Sequence, residues 1–221
     1  MRSLIPFTLA ILLTAAAAHA QAGSSGAAAA KPDQPFYAEV VAHSAFGNVT
    51  SQSYGFEFGA NWRPNVDIFV EVGHTRDAST TALSSGALKI AGALAGLQSA
   101  AVSYTAKEPV TFGGAGLRYR IQTEGRIHPY VLGGGGVARL NNNVTFQLGG
   151  VDATGSLSQY VSLGTDLSGS ATKPMITLGG GVVVPVHGNI VFDLQYRFGR
   201  IFDGDSSIDL SRAGAGLGVR F

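Results

Sequence analysis

The strongest constraint on the fold of this chain is an alternation of apolar with polar or small residues that recurs along most of its length. In residues 54–63 (YGFEFGANWR), one parity is aromatic or apolar, while the other is polar or glycine. A period of two is typical of β-strands with one apolar face. Eight segments show it: 36–45, 53–63, 66–76, 110–121, 129–140, 174–184, 189–199 and 210–221. Each is close to the length of about 9–11 residues that a tilted strand needs to cross a bilayer.

The connections between these segments alternate in length. Short connections lie at 64–65, 122–128 and 185–189, and mostly longer ones lie at 44–52, 77–109, 141–173 and 200–209. Short turns at one end and long loops at the other are typical of outer-membrane barrels. The sequence therefore predicts an all-β fold, a closed antiparallel up-and-down transmembrane β-barrel with eight strands. A soluble lipocalin-like barrel or a β-sandwich is the alternative, because parity alone does not say which face points inward.

The placement of aromatic residues favours the membrane barrel. Transmembrane barrels carry an aromatic girdle at each membrane interface. In a soluble sandwich, no physical factor concentrates outward-facing aromatic residues at the two ends of the strands. At the short-turn end, the expected outward parity carries Phe36, Trp62, Tyr119, Tyr130, Phe192 and Phe221. At the long-loop end, it carries Tyr54, Tyr196 and Phe198.

Composition excludes several other classes of protein. The chain of 221 residues contains 31 Gly and no Cys, and only 13% of its residues are charged. The absence of Cys rules out a disulfide scaffold, a zinc ribbon and a thiol nucleophile. With 15 Lys and Arg against 14 Asp and Glu, the chain lacks the basic excess of a nucleic-acid-binding protein, and we expect no nucleic-acid partner.

The N-terminus has the features of an export signal. Arg2 precedes the apolar run Leu4–Ala18, and Ala18-His19-Ala20 resembles a cleavage site. We expect residues 1–20 to be a signal peptide, 21–35 a flexible linker and 36–221 the barrel domain. Export followed by barrel insertion predicts that the protein is located in the cell outer membrane.

Three segments resemble the small eight-stranded outer-membrane β-barrels, such as the transmembrane domain of the outer membrane protein A family and its short relatives. They are Thr111–Leu140, Met175–Gly199 and Ala213–Phe221 (AGAGLGVRF). The terminal pattern of Leu217, Val219 and Phe221 looks like the signal that the outer-membrane assembly machinery reads. The resemblance implies a fold, a location, a transient contact with that machinery and a lasting one with outer-membrane lipid. It implies little chemistry, because members of a fold family differ in function.

If the polar residues of each alternating strand point inward, they place a nearly balanced set of charges inside the barrel. These candidate lumenal residues are Glu39, Glu57, Asp67, Glu71, Asp193, Arg63, Arg118, Arg120, Arg139, Arg197, Arg212 and Arg220. An eight-stranded barrel has room only for its own side chains, and buried charges are tolerated when they are paired. We therefore expect a Glu/Asp–Arg network that fills the lumen and holds the strand register. A charged ring that lines a small pore is the alternative.

Two long loops contain further predicted structure. In loop 77–109, Ile90, Leu94, Leu97 and Ala101 recur at helical spacing, which predicts a short helix near 86–100 that caps the barrel or packs on extended strands. In loop 141–173, residues 144–148 keep the parity of the preceding strand and could pair with Ser158–Leu163. If that hairpin crossed the membrane, the barrel would have ten strands.

Motifs for chemistry are scarce. The segment Asp203–Asp209 spaces its carboxylates roughly as a calcium loop does, but it lacks the Gly at the sixth position and the Glu at the twelfth position of such a loop. We therefore expect a solvated loop, no metal and no cofactor. His43, His74, His128 and His187 form no zinc motif, and no nucleophile elbow occurs. We expect no enzyme but a structural or surface-interaction role through the loops, with an extracellular ligand or surface as partner. A small-solute channel is the alternative. A lipid-modifying enzyme is the third hypothesis; it would need a His/Ser pair on the outer face, and the neighbours His43 and Ser44 point to opposite faces.

Overall fold

The alternating segments form the strands of the computed structural model, which describes residues 34–47, 49–98, 101–124, 126–157, 168–204 and 206–221. The strands are β1 (Phe36–Phe46), β2 (Ser51–Arg63), β3 (Val66–Thr75), β4 (Val102–Lys107), β5 (Val110–Arg120), β6 (His128–Leu148), β7 (Val151–Asp152), β8 (Ser168–His187), β9 (Ile190–Asp203) and β10 (Ser206–Arg220). The helices are α1 (Thr81–Gln98) and α2 (Thr154–Leu157). The expected signal peptide and most of the expected linker lie outside the described residues.

Eight of the strands close into a ring in which each strand pairs antiparallel with its neighbour. The order is β1, β2, β3, β5, β6, β8, β9 and β10, and β10 returns to β1. The closing register runs from Tyr37 opposite Arg220 to Phe46 opposite Ser211. The predicted eight-stranded up-and-down barrel is confirmed. Among the described helices, none is both long and apolar enough to cross a membrane.

Glycine makes room in the lumen for large inward side chains. A Cβ added at Gly116 would lie 2.8 Å from Cε1 of Phe69, and one at Gly181 would lie 2.6 Å from the hydroxyl of Tyr130. Only a residue without a side chain leaves that space beside the ring. The high glycine content therefore follows in part from the narrow bore of an eight-stranded barrel.

Strands β4, β5 and β6 form one long hairpin that continues past the ring. Val102 pairs with Leu148 and Lys107 with Asn143, and the same register continues from Val110 opposite Leu140. The ladder is interrupted at Pro109, which has no N–H to donate, although its carbonyl still accepts from the Asn141 amide at 3.0 Å. We call residues 102–109 and 141–148 the outer hairpin. Within the described residues the partners of this part of β6 are β4 and β7, and the expected partner, residues 158–163, lies outside them.

Helix α1 packs against the outer hairpin. Leu83, Ala87 and Leu94 are buried against Val144 and Phe146, which share the parity of the lumenal residues of β6. The helix is confirmed, but it begins five residues before the predicted start at 86, because the Thr80 hydroxyl accepts from the Leu83 amide at 3.2 Å and caps the first turn. Helix α1 therefore covers the face of the hairpin that continues the inner wall of the barrel.

Candidate functional site

The centre of the lumen holds an ion-pair network contributed by four strands. Arg118 of β5 lies 3.3 Å from Glu57 and 2.9 Å from Asp193. Arg197 of β9 also pairs with Glu57 and lies 3.1 Å from Glu71. Glu57 thus bridges the two guanidinium groups, and all five side chains are almost completely buried. Arg suits this role because its planar fork can hold two carboxylates at once.

Two tyrosine hydroxyls extend this network. Tyr37 donates to Glu57 and Tyr130 donates to Asp193, each at 2.7 Å. The guanidinium of Arg118 lies 4.8 Å from the Tyr37 ring centroid and 3.5 Å from that of Tyr130. These contacts satisfy part of the polar groups around Arg118, as a buried ion pair requires if it is to be tolerated, while Asp193 Oδ1 has no hydrogen-bond partner among the described residues.

Other lumenal charges lie around this centre. Arg212 lies over the Phe112 ring at 4.1 Å and 3.9 Å from Glu71. Nearer the short turns, Arg120 pairs with Asp67 at 3.3 Å. The charged set therefore extends along the lumen rather than forming a single ring.

Two layers of buried, mainly apolar side chains lie on either side of the central charges. The layer toward the long loops consists of Ala45, Ala78, Val110, Phe112, Ala138, Leu140, Met175, Ile201, Ile208 and Leu210. The layer toward the short turns consists of Tyr37, Phe69, Tyr130, Leu132, Val183 and Val191. Within the described residues, the cavity beside the charges at His43 and Arg212 has a volume of about 10 Å³, roughly enough for one water molecule.

A cleft lies at the long-loop end of the barrel, above the upper apolar layer. It has a volume of about 850 Å³ and is bounded by the start of α1 at Thr80–Leu83, by Glu108 and by residues 206–209 of β10. We call it the mouth cleft. Its volume falls within the range of about 300–1,000 Å³ that is typical of small-molecule sites.

Glu108 is the buried acid of the mouth cleft. Its backbone is held on both sides, because its amide donates to Asp77 at 3.0 Å and its carbonyl accepts from the Ala78 amide at 2.9 Å. The side chain is 4% exposed, and its Oε2 has no hydrogen-bond partner among the described residues. Burial, with smaller contributions from Asp203 and Asp77, raises the pKa of Glu108 to about 7, against a backbone hydrogen bond from Thr80 that lowers it.

The other acids beside the mouth cleft already have cationic partners. Asp203 lies 2.6 Å from Lys173. Asp209 accepts from Arg200 Nε at 2.6 Å and from Nη2 at 2.7 Å, and this pairing lowers the pKa of Asp209. Among the described residues, no cluster of three or more acids, histidines or cysteines is arranged to hold a metal ion.

The outer surface of the ring is an apolar band between two groups of aromatic residues. Val40, Val70, Val72, Leu117 and Leu194 are all about half exposed in the band. Phe36, Phe58, Trp62, Tyr119, Phe192 and Phe221 lie at the short-turn end, and Tyr54, Tyr196 and Phe198 lie at the long-loop end. Phe36, Phe58 and Phe221 cluster across the closing seam with centroids 5.9–6.4 Å apart. This is the surface that a barrel presents to a bilayer.

Solved structures share this architecture. Neisserial surface protein A (NspA) is similar over 84% of this chain and 96% of its own, with 15% identity and a TM-score of 0.52. Ail, the attachment invasion locus protein of Yersinia pestis, matches over 85% and 97%, with 14% identity and a TM-score of 0.45. The N-terminal β-barrel domain of Pseudomonas aeruginosa OprF matches over 82% and 96%, with 15% identity and a TM-score of 0.42. The chain has the fold of a small outer-membrane β-barrel. No protein-family model and no curated protein sequence matches it.

Three predicted site residues of this barrel occupy other places than expected. Tyr130, expected in the girdle, is buried in the lumen at 2% exposure. Arg139, expected in the lumen, is exposed on the outer wall and donates to Ser170 at 3.1 Å. Both predictions were wrong for one reason. The inner face of β6 is apolar like its outer face, and four consecutive glycines interrupt the alternation of apolar and polar residues, so the sequence does not show which face points inward. Arg63 lies at the turn end, exposed over Trp62 at 4.8 Å, beyond a register irregularity between Asn61 and Arg63.

The remaining predicted charges occupy inward positions. These are Glu39, Glu57, Asp67, Glu71, Asp193, Arg118, Arg120, Arg197, Arg212 and Arg220, the last half-buried at the end of β10. Leu217, Val219 and Phe221 are exposed on the outer face at the end of the chain. Sequence reasoning missed Tyr37, which shares the parity of Glu39 in β1, and Gln195, which accepts from Arg197 at 2.6 Å. It also missed Glu108, because a buried acid in a long loop has no periodic signal.

Proposed function

We propose that this protein is an integral outer-membrane barrel with a closed lumen that acts through the structure it displays outside the membrane. The observation that carries the proposal is the filled lumen, in which the network of Arg118, Arg197 and their carboxylates lies between two apolar layers. A lumen of this kind supports a rigid scaffold rather than a conduit. The role is proposed to be non-enzymatic.

The displayed part is substantial. Arg139 of β6 lies at the level of the long-loop aromatic girdle, because the strand register aligns it through Thr111 and His74 with the girdle residue Tyr54. From there β6 continues to Leu148, a further length of roughly 30 Å at about 3.3 Å per residue. The outer hairpin and α1 bury a core of their own. They therefore form a stable surface on which an extracellular ligand or surface could be bound.

Planar-bilayer recording of the refolded protein tests the closed lumen. We expect no steady, reproducible conductance steps, because an ion would have to cross both apolar layers. The matched comparison is the same preparation with Leu140 and Leu210 of the upper layer replaced by serine. A defined conductance step in the unaltered protein would instead favour the small-solute channel.

A His–hydroxyl pair on the outer face is the feature that a lipid-modifying enzyme would require. His74 Nδ1 lies 3.0 Å from Thr111 Oγ1. A nucleophile and its base are usually oriented by a third group, whereas the neighbour of His74 is the Tyr54 ring, at 5.5 Å, and no carboxylate among the described residues bonds to it. Mass spectrometry of outer-membrane lipid should therefore give the same spectrum with the unaltered protein as with His74→Ala.

A further inference from the structure

We propose that the mouth cleft binds a small organic cation, with Glu108 receiving its ammonium group. This inference rests on the proposed function, since the ligand must reach the cleft from the outside of the cell. It adds a chemical class of ligand to the general role proposed above.

The first argument is charge. Of the carboxyl groups that bound the mouth cleft, those of Asp203 and Asp209 are paired with Lys173 and Arg200, and that of Glu108 has no cationic partner among the described residues. A buried carboxylate with no cation beside it is costly, and a ligand that supplies the positive charge would offset that cost.

The second argument is the preformed position of one acceptor. Asp77 and Ala78 hold the backbone of Glu108 on both sides. The same Asp77 orders the approach to α1 by accepting from the Ser79 amide at 2.9 Å. The Glu108 carboxyl, which accepts a backbone hydrogen bond from Thr80, therefore keeps one buried and unpaired oxygen, Oε2, on a rigid support beside a cleft of about 850 Å³.

The choice of an ammonium group over a metal ion follows from the neighbouring acids. Asp203 and Asp209 are occupied by Lys173 and Arg200, which leaves Glu108 as the acid without a counter-ion in the described lining. A divalent cation usually needs several oxygen ligands from the protein. An ammonium needs one carboxylate with hydroxyl acceptors, and the hydroxyls of Thr80, Ser206 and Ser207 lie along the cleft. Leu83 and Ile208 offer apolar surface for an alkyl chain.

Binding should depend on pH in a defined direction. The charged groups that face Glu108 are Asp203 and Asp77, both acidic, and together with burial they raise the pKa of Glu108 to about 7. The carboxyl therefore gains its charge as the pH rises through about 7, while an alkylamine keeps its own proton. Affinity for the amine should increase over that interval.

The test is calorimetric titration of the refolded full chain, in non-ionic detergent, with putrescine as the probe and butanediol as its neutral counterpart. We expect putrescine to bind and butanediol not to bind. Affinity for putrescine should fall about tenfold or more in Glu108→Gln, as expected for loss of a charge-assisted hydrogen bond. Glu124→Gln removes an exposed acid at the short-turn end and should leave the affinity unchanged.

Each other outcome overturns the proposal. Equal binding of butanediol would show a polyol site, and binding of calcium chloride in place of putrescine would show a metal site. An equal loss in Glu124→Gln would show non-specific attraction. If Glu108→Gln does not refold, the affinity of the unaltered protein for putrescine is measured at about pH 5.5 and at about pH 8.5 instead. An affinity that does not depend on pH would contradict the role of Glu108. The recordings described above test the closed lumen separately, so either proposal can fail alone.

Discussion

Replacing Arg197 by methionine is expected to lower the free energy of unfolding of the barrel by about 3–5 kcal/mol, the cost typical of breaking a buried ion pair from one side. Arg197 is 1% exposed and is held by Glu57 and Glu71. Methionine keeps much of the volume but leaves both carboxylates in the lumen without this cation. The loss comes mainly from those uncompensated charges rather than from the contacts removed.

Urea unfolding in detergent, followed by the fluorescence of Trp62, measures this effect, because Trp62 is the single tryptophan of the chain. Arg139→Met is the matched control, since Arg139 is exposed on the outer wall, where it donates to Ser170 and pairs with no acid among the described residues. We expect the control to change the unfolding free energy by less than about 1 kcal/mol. Similar losses in both variants would mean that the lumenal network does not stabilise the barrel. Adding Glu71→Gln to Arg197→Met should recover part of the loss, because the cation left beside Glu71 among the described residues is Arg212, at 3.9 Å.

Replacing Gly136 by alanine is expected to destabilise the barrel by about 1–3 kcal/mol or more, through overpacking between two strands. A Cβ at this position would penetrate the Gly113 carbonyl oxygen and approach the Gly114 Cα of the neighbouring strand. Both obstacles are backbone atoms of a closed ring, so neither can move without shifting the hydrogen-bond ladder. The variant should unfold at a lower urea concentration and lose its heat-modifiable gel migration at a lower temperature.

Gly135→Ala is the control for this variant, because it changes the adjacent residue of the same glycine run. A Cβ there would meet the Met175 carbonyl oxygen at 3.6 Å, an ordinary contact. We expect Gly135→Ala to be neutral or slightly stabilising, as glycine costs backbone entropy in a strand. Equal destabilisation by the two substitutions would contradict the argument from close approach and point instead to a general need for glycine in β6.

The filled lumen and the displayed hairpin have a common physical origin. Strands that end at the membrane interface need only short loops, but β6 continues to Leu148 and needs partners there. Strand β4 satisfies the backbone groups of one edge of this extension, and α1 covers its apolar face. The same continuation of the inner wall places α1 and Glu108 above the upper apolar layer, so the mouth cleft is a consequence of how the hairpin is covered.

The alternation of apolar and polar residues predicted correctly which side chains of most strands face outward, because lipid favours apolar side chains and this lumen holds mainly polar ones. In β9, Leu194 and Tyr196 face outward, while Asp193, Gln195 and Arg197 face inward, as the alternation indicated. The same reasoning was wrong in β6, where Tyr130 and Leu132 belong to the lumenal apolar layer. When both faces of a strand are apolar or glycine, neighbouring strands alone determine which one points inward.

The sequence by itself predicted the eight strands of the ring, their order, the lipid-facing residues of most of them and the presence of a helix in the second long loop, while it left a ten-stranded barrel open. These properties follow from local rules, since each strand must offer one face to lipid and satisfy its backbone groups with its neighbours. Only the tertiary structure decided which charges meet, with Glu57 bridging Arg118 and Arg197. It also decided that β4 extends the wall and that Glu108 lies buried at the mouth. Those features depend on distances between residues far apart in the chain, which a period along one strand does not encode.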